Sequence, residues 1–355
     1  MSRFATLLVA WQRRHGRRGL PWQGTRDPYR IWLSEIMLQQ TQVSAVIPYY
    51  ERFLAKFPSV ERLAGADEDE VLALWSGLGY YARARNLHAA ARTIAREGFP
   101  GDASSIEKLP GVGRSTAAAI AVFAYGERAA ILDGNVKRVL ARCYGIDGWP
   151  GEKAVEAELW RRAERLLPRR DVETYTQALM DLGATLCTRT KPACERCPVA
   201  RLCASRKNGL WSKIPAPRPR KRLPTKRVTW FIAARQGSVL LEKRPSPGVW
   251  GGLWCFPEKL VGCKLRERLP TLEHGFTHFR LVISPVLCEA PAKPACNGRW
   301  FTLAEARAAG LPAPVRRLVE SRKGSGFYSL CLERQRWRTS TRHSARNVSA
   351  SVSTR

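Results

Sequence analysis

The sequence predicts an all-α block over residues 1–210, then a smaller α+β domain over residues 228–332. Three observations predict it. Up to Asn208, apolar residues recur at three- and four-residue spacing, as in Val71-Leu72-Leu74-Trp75 and Val155-Leu159-Leu166. At residues 211–227 the composition shifts to proline alternating with lysine and arginine. Beyond that, β-branched and aromatic runs of strand length take over.

In the first block Pro58, Gly65, Gly98, Pro100, Gly126 and Gly148 punctuate the helical pattern, which leaves room for about ten helices. In the second segment Pro215, Pro217, Pro219 and Pro224 interleave with Lys213, Arg218, Arg220, Lys221, Arg222, Lys226 and Arg227. That reads as a stiff basic linker able to lie along phosphates. In the third, 228–234 and 238–243 read as strands joined by a Gln236-Gly237 turn, with further strands at 278–283 and 298–301 and short helices at 303–309 and 314–321. Residues 333–355, rich in Arg, Ser and Thr, read as a disordered basic tail. There is no internal repeat.

Charge narrows the partner. The 355 residues carry 60 Lys+Arg against 30 Asp+Glu, a net charge of +30. An excess of this size points to a polyanion, most simply nucleic acid, with a general arginine bias as the competing explanation. No stretch is apolar enough for a membrane span. The N-terminus lacks the apolar core and cleavage site of a signal peptide.

Cys187, Cys194, Cys197 and Cys203 follow the spacing C-x6-C-x2-C-x5-C. Four thiols in one short loop point to a metal centre. Disulfides fit poorly with a chain that lacks secretory marks, and the scattered Cys143, Cys255, Cys263, Cys288, Cys296 and Cys331 read as reduced thiols. Zinc stays open beside an iron–sulfur cluster, because the loop has one short knuckle and two longer arms.

Leu109-Pro110-Gly111-Val112-Gly113-Arg114-Ser115-Thr116-Ala117 lies between two helical patterns. Gly111 and Gly113 permit a tight turn with outward N–H groups, and the next helix adds its own free amides. Such a hairpin holds a phosphate without reading a base. A plain helix–turn–helix corner is the competing reading.

The hairpin, Asp133 in Leu132-Asp133-Gly134-Asn135-Val136-Lys137-Arg138-Val139, and the cysteine loop together resemble the helix-hairpin-helix DNA glycosylases with a 4Fe–4S cluster, the endonuclease III superfamily. Leu20-Pro21-Trp22, the Trp32–Val43 segment and Gly77-Leu78-Gly79-Tyr80-Tyr81-Ala82-Arg83 are similar to its MutY branch, the adenine DNA glycosylases. The similarity runs from about Leu7 to Arg322 and weakens in the second domain, which resembles the Nudix fold.

The resemblance implies the remaining assignments. Glu35 lies between Ile31-Trp32-Leu33 and Ile36-Met37-Leu38. Apolar neighbours would raise its pKa, and the family gives the matching Glu the role of general acid to adenine N7. Asp133 reads as a helix N-cap, and as the family's carboxylate facing the oxocarbenium-like C1′, with Asn135 as its helper. Arg18, Trp22 and Gln177 match the adenine pocket. Gln40 and Tyr80 match intercalating positions, although Tyr80 also reads as a core aromatic. Arg189 and Lys191 would meet phosphates from a loop fixed by the cluster. Ser115 stands where bifunctional relatives carry a lysine nucleophile, which implies base removal without strand cleavage; Lys108 and Lys137 are close in sequence. Phe276-Thr277-His278 resembles the family's 8-oxoguanine loop, with Thr277 keeping the hydroxyl of the usual Ser. The Nudix hydrolase box is absent, and the stretch between Glu258 and Thr271 looks short.

The expected function is therefore hydrolysis of adenine from A:8-oxoguanine or A:G mispairs in duplex DNA. The expected protein is a monomer with one 4Fe–4S cluster, in the bacterial cytoplasm at the nucleoid, with other repair proteins as candidate partners. A bifunctional glycosylase/lyase is the alternative. A non-catalytic iron–sulfur DNA binder and a pyrophosphohydrolase are weaker rivals, the latter for want of the box.

Overall fold

A computed structural model describes residues 1–219, 222–235, 237–289 and 297–320. The tail at 333–355, the linker residues Arg220 and Lys221, the turn residue Gln236, Cys296 and Cys331 lie outside the described residues.

The helical region runs α1 (Arg3–His15), α2 (Pro28–Leu38), α3 (Val43–Lys56), α4 (Val60–Ala64), α5 (Glu68–Trp75), α6 (Ala82–Glu97), α7 (Ala103–Ile106), α8 (Arg114–Tyr125), α9 (Gly134–Tyr144), α10 (Lys153–Leu166), α11 (Val172–Asp181) and α12 (Ala204–Lys207). A π-helical turn, Leu182–Leu186, prolongs α11. Such turns arise where an extra residue is accommodated in a helix, often at a functional site.

Local signals place these helices. Pro28 opens α2, with Asp27 as N-cap accepting from the amides of Tyr29 and Arg30. Gly126 and Gly145 end α8 and α9 in the left-handed conformation. Apolar stripes of α1, α8, α9, α10 and α11 close one core, including Leu8, Val122, Val139, Leu140, Leu159, Tyr175 and Leu182. No helix among the described residues is long and apolar enough to cross a membrane.

The β region forms one sheet: β1 (Thr225–Arg235), β2 (Ser238–Lys243), β3 (Trp254–Cys255), β4 (Lys264–Arg268), β5 (Leu272–Gly275), β6 (Arg280–Glu289) and β7 (Gly298–Thr302). The order is β3-β2-β1-β6-β4, with β5 also on β6 and β7 on β2. β1 and β6 run parallel, with Ala233 opposite Cys288. Two helices, α13 (Leu303–Ala308) and α14 (Ala313–Glu320), pack their apolar sides on this sheet.

Three expectations are corrected. β1 begins at Thr225, inside the expected linker, because Arg280 N–H bonds to Pro224 O and starts the β1–β6 ladder early. The strand expected from His278 begins at Arg280, since Thr277 and His278 form the turn after β5. β3, β4 and β5 were not expected; β3 and β5 are only two and four residues long and β4 is wholly exposed.

By contacts the chain divides into two units: residues 1–66 with 85–221, and residues 67–84 with 222 onward. The α5 segment thus clusters with the sheet. Ser76 Oγ donates to Leu311 O at 2.9 Å and accepts from Arg316 at 2.9 Å, and Lys243 pairs with Asp69 at 2.7 Å.

Candidate active site

Two adjoining cavities of about 510 and 900 Å³ lie in the first unit. Glu35, Arg17, Leu38, Val43 and Met180 line both. The smaller brings together Arg18, Trp22 and Gln177. The larger gathers Asp133, Asn135, Ser115, Gln40 and Arg189. Residues up to 154 positions apart in sequence therefore converge on Glu35 (189 − 35 = 154).

Glu35 is carried by α2, whose Ile31, Trp32, Leu33, Ile36 and Met37 are buried. Enclosure by protein, reinforced by the charge of Asp133, pushes its carboxyl up to about 8. Asp133 caps α9 and accepts from Val136 N at 2.7 Å. Burial raises its carboxyl as well, while the amides of Val136 and Asn135 and the cations Arg138 and Lys137 pull it back down. No such opposing pull acts on Glu35, whose two causes both raise it.

Arg138 was not singled out in the sequence. Its guanidinium donates to Asn135 Oδ1 at 2.8 Å, Gly183 O at 2.8 Å and Cys187 O at 2.8 Å. It joins the start of α9 to the first cysteine through the π-helical turn. Gly183 allows this approach: a Cβ there would stand 2.6 Å from Asn135 Cβ.

In the smaller cavity Trp22 packs edge-on against Tyr50, centroids 5.4 Å apart. Arg18 reaches Arg13 O at 2.5 Å, and Arg26 pairs with Glu173 at 2.5 Å.

At the hairpin Gly111 has φ +79°, and a Cβ there would meet Asn86 Cβ at 2.7 Å. Gly113 has φ −104° and caps α8 with no side-chain partner, leaving the first amides of that helix for a ligand. Ser115 Oγ accepts from Leu132 N at 2.8 Å, which ties the hairpin helix to the loop before Asp133. Gln39, also not foreseen, links the end of α2 to Thr116 Oγ1 at 3.3 Å. Gln40 follows at φ +57°, exposed at the cavity mouth. Tyr80, in the second unit, is 47% exposed at φ +50°, with Arg83 over its ring. Non-glycine residues held at positive φ store strain and cluster at functional sites. Lys137 Nζ is engaged by Glu156 at 2.6 Å.

The cysteine loop is built around Arg142, which is 4% exposed. It donates to Ile214 O at 2.9 Å, Thr188 O at 2.7 Å, Arg189 O at 2.9 Å and Cys187 Sγ at 3.5 Å. Cys203 Sγ donates to Arg142 O at 3.4 Å. Cys187, Cys194, Cys197 and Cys203 are all free thiols, and Cys187, Cys197 and Cys203 pack against the helical core. Arg142 has no carboxylate partner among the described residues. Arg189 and Lys191 are exposed on the loop, which Thr188 closes by donating to Lys191 O at 2.7 Å. No three His, Cys, Asp or Glu side chains among the described residues converge tightly enough to hold a single ion.

In the second unit Phe276 stacks on Phe279 at 4.4 Å and lies 5.3 Å from Trp250. Thr277 and His278 are exposed at the tip of that turn, Thr277 Oγ1 lying 3.4 Å from His278 Nδ1.

Residues 33–165 match the HhH-GPD superfamily of base excision DNA repair proteins, and residues 228–321 match the NUDIX domain. The chain is 37% identical over 346 residues to an adenine DNA glycosylase of Buchnera aphidicola subsp. Acyrthosiphon pisum, covering 91% of this chain and 99% of that protein. It is 32% identical to the adenine DNA glycosylase of Mus musculus, covering 93% of this chain and 81% of the other. Among solved structures, a thermostable thymine-DNA glycosylase aligns with TM-score 0.52 and 31% identity over 58% of this chain and 95% of its own. An endonuclease III from a non-covalent DNA complex aligns with TM-score 0.50 over the same shares; at 22% identity it speaks for the fold alone.

Proposed function

Since the chain belongs to the adenine DNA glycosylases, a helix-hairpin-helix DNA repair domain followed by a Nudix domain, we propose that it hydrolyses adenine from A:8-oxoguanine and A:G mispairs in duplex DNA. The observation that carries the proposal is the junction of the two cavities: Glu35 faces both a base-sized pocket and the groove that holds Asp133.

An adenine turned out of the duplex enters the smaller cavity against Trp22, Arg18 and Gln177. Glu35, protonated at neutral pH, delivers its proton to N7. The C1′–N9 bond then breaks with its electron pair leaving on a neutral base. The Asp133 carboxyl group, whose amides and cations favour its charged form, stabilises the positive charge growing at C1′ until water adds there, the water's proton passing to Glu35, which the first step left as a carboxylate. Asn135, steadied by Arg138, helps align Asp133 and the water. Gln40 and Tyr80 fill the gap left in the stack. The amides at Gly111 and Gly113, with Arg189 and Lys191, take phosphates. Ser115, already engaged with Leu132, offers no amine to C1′, in keeping with base removal that leaves the strand intact.

Cys187, Cys194, Cys197 and Cys203 fit a 4Fe–4S cluster. A cluster held by four thiolates would give buried Arg142 the anionic partner it otherwise lacks. When bound, such a cluster staples the loop that presents Arg189 and Lys191. In the second unit Thr277 would hydrogen-bond 8-oxoguanine, with Phe276 and His278 beside it. We place the enzyme in the cytoplasm, as a monomer on DNA.

The test is base release from A:8-oxoguanine, A:G and A:T duplexes by wild type and Glu35→Gln. Release from the first two, no nicking without alkali, and loss of at least ~10³-fold in rate in the variant are expected. Prompt nicking, or a fully active variant, contradicts the reading.

A further inference from the structure

Behind the smaller cavity lies a carboxylate that the proposed chemistry does not use. Asp181 ends α11 and is 0% exposed. Its Oδ1 accepts from Arg17 Nε at 2.8 Å and Gln177 Nε2 at 2.8 Å, with Arg17 Nη2 paired to it at 2.7 Å. Its Oδ2 accepts from the Arg17 backbone N–H at 2.8 Å and Gln12 Nε2 at 2.9 Å. Every one of these partners is a donor, so both oxygens of Asp181 serve as acceptors. An amide facing it must therefore turn its NH2 group inward. Asp181 thus fixes an orientation that a glutamine alone leaves free.

Gln12 is 8% exposed, and its Oε1 is buried with no hydrogen-bond partner among the described residues. Gln177 Oε1 likewise accepts no hydrogen bond among the described residues. Both residues line the smaller cavity. The arginines on the same wall are drawn elsewhere: Arg17 to Asp181, Arg18 to Arg13 O and Arg26 to Glu173. A buried acceptor without a donor is unfavourable until a ligand supplies one.

We propose that Asp181 is a positioning residue for base selection: by holding two amide NH2 groups away from the cavity, it leaves acceptors at Gln12 and Gln177 for a base bearing an exocyclic amino group. A 6-amino purine satisfies such acceptors. A 6-keto purine brings its own acceptor to the same place and leaves them unpaired. The inference rests on the glycosylase reading above.

The test compares single-turnover release of adenine and of hypoxanthine, the 6-keto analogue, each opposite 8-oxoguanine. Asp181→Asn keeps the shape but can present its own NH2 group, so the glutamines are free to turn. The adenine-to-hypoxanthine rate ratio is expected to fall by about tenfold or more, with affinity for a duplex carrying an abasic-site analogue unchanged. Uniform slowing with the ratio preserved overturns the proposal. If Asp181→Asn does not fold, Gln12→Leu and Gln177→Leu carry the same comparison, and an unchanged ratio in both overturns it. A wild type that releases neither base removes the glycosylase reading and this inference together. A wild type that releases adenine, with variants that keep its selectivity, removes this inference alone.

Discussion

The acid role proposed for Glu35 rests on a stability penalty. An ordinary glutamate titrates near 4.5, and this one is pushed up to about 8 by its enclosure and then by Asp133. Below pH 4.5 the group is protonated whether the chain is folded or not. Between 4.5 and about 8 the unfolded chain sheds the proton and the folded chain keeps it, so rising pH removes stability; above about 8 the loss is complete. Two outcomes follow. The rate of adenine release at saturating enzyme should fall as pH rises through about 8, since the acid is then spent. Glu35→Gln should melt above wild type at pH 8.5, by about 1–3 kcal/mol, and show no such advantage near pH 4. Thermal melts of both proteins across that range check it; a gap independent of pH would show that enclosure does not set the Glu35 proton. The neighbours that enclose Glu35 adjoin it in sequence, which is why this residue was legible. Asp181 was not, because Gln12 and Arg17 meet it across 169 and 164 residues and nothing local marks it.

At the scale of elements, the hairpin and the cysteine loop were written in spacing, but what holds each was not. Gly111 was readable as a turn residue, whereas its near-contact with Asn86 on α6 was not. Cys187 to Cys203 were readable as a ligand set, yet the loop hangs on Arg142 from α9, which reaches three carbonyls and one sulfur. An arginine in a basic chain carries no signal until its burial is seen. Replacing Arg142 by Met removes those donors and the buried charge together. The three carbonyls then lose their partner, at a stability cost of about 2–4 kcal/mol. Arg142→Met should be isolated with less iron per chain and a weaker absorbance near about 410 nm, and should bind duplex DNA less tightly because Arg189 loses its backbone anchor. Iron analysis and DNA titration measure this; full iron and unchanged affinity would release Arg142 from the role. The missed strands β3 to β5 make the same point, since exposed edge strands are defined by their partners rather than by their own pattern.

For the whole molecule, the sequence divides the chain at a basic, proline-rich stretch, while its contacts also draw residues 67–84 to the second unit. α5 has the apolar periodicity of its helical neighbours, so its sequence says helix and not where that helix packs. A chain cut at residue 221 therefore does more than remove the proposed sensor of the opposite base. It strips Ser76 of Leu311 and Arg316, Asp69 of Lys243, and Leu72 of the close approach of Gly310, where a Cβ would stand 3.1 Å from Leu72 Cβ. Loss of these contacts destabilises what remains by about 1–3 kcal/mol. The truncated chain should unfold at lower denaturant than the full-length protein while keeping Glu35, Asp133 and both cavities, all of which lie within residues 1–66 and 85–221. Its adenine release from A:G should persist, and its preference for A:8-oxoguanine should shrink because Phe276, Thr277 and His278 are gone. Denaturation midpoints together with the A:8-oxoguanine to A:G rate ratio separate the two effects. An unchanged midpoint would show that α5 stands without the sheet, and an unchanged ratio would show that the oxidised base is read within the first 221 residues.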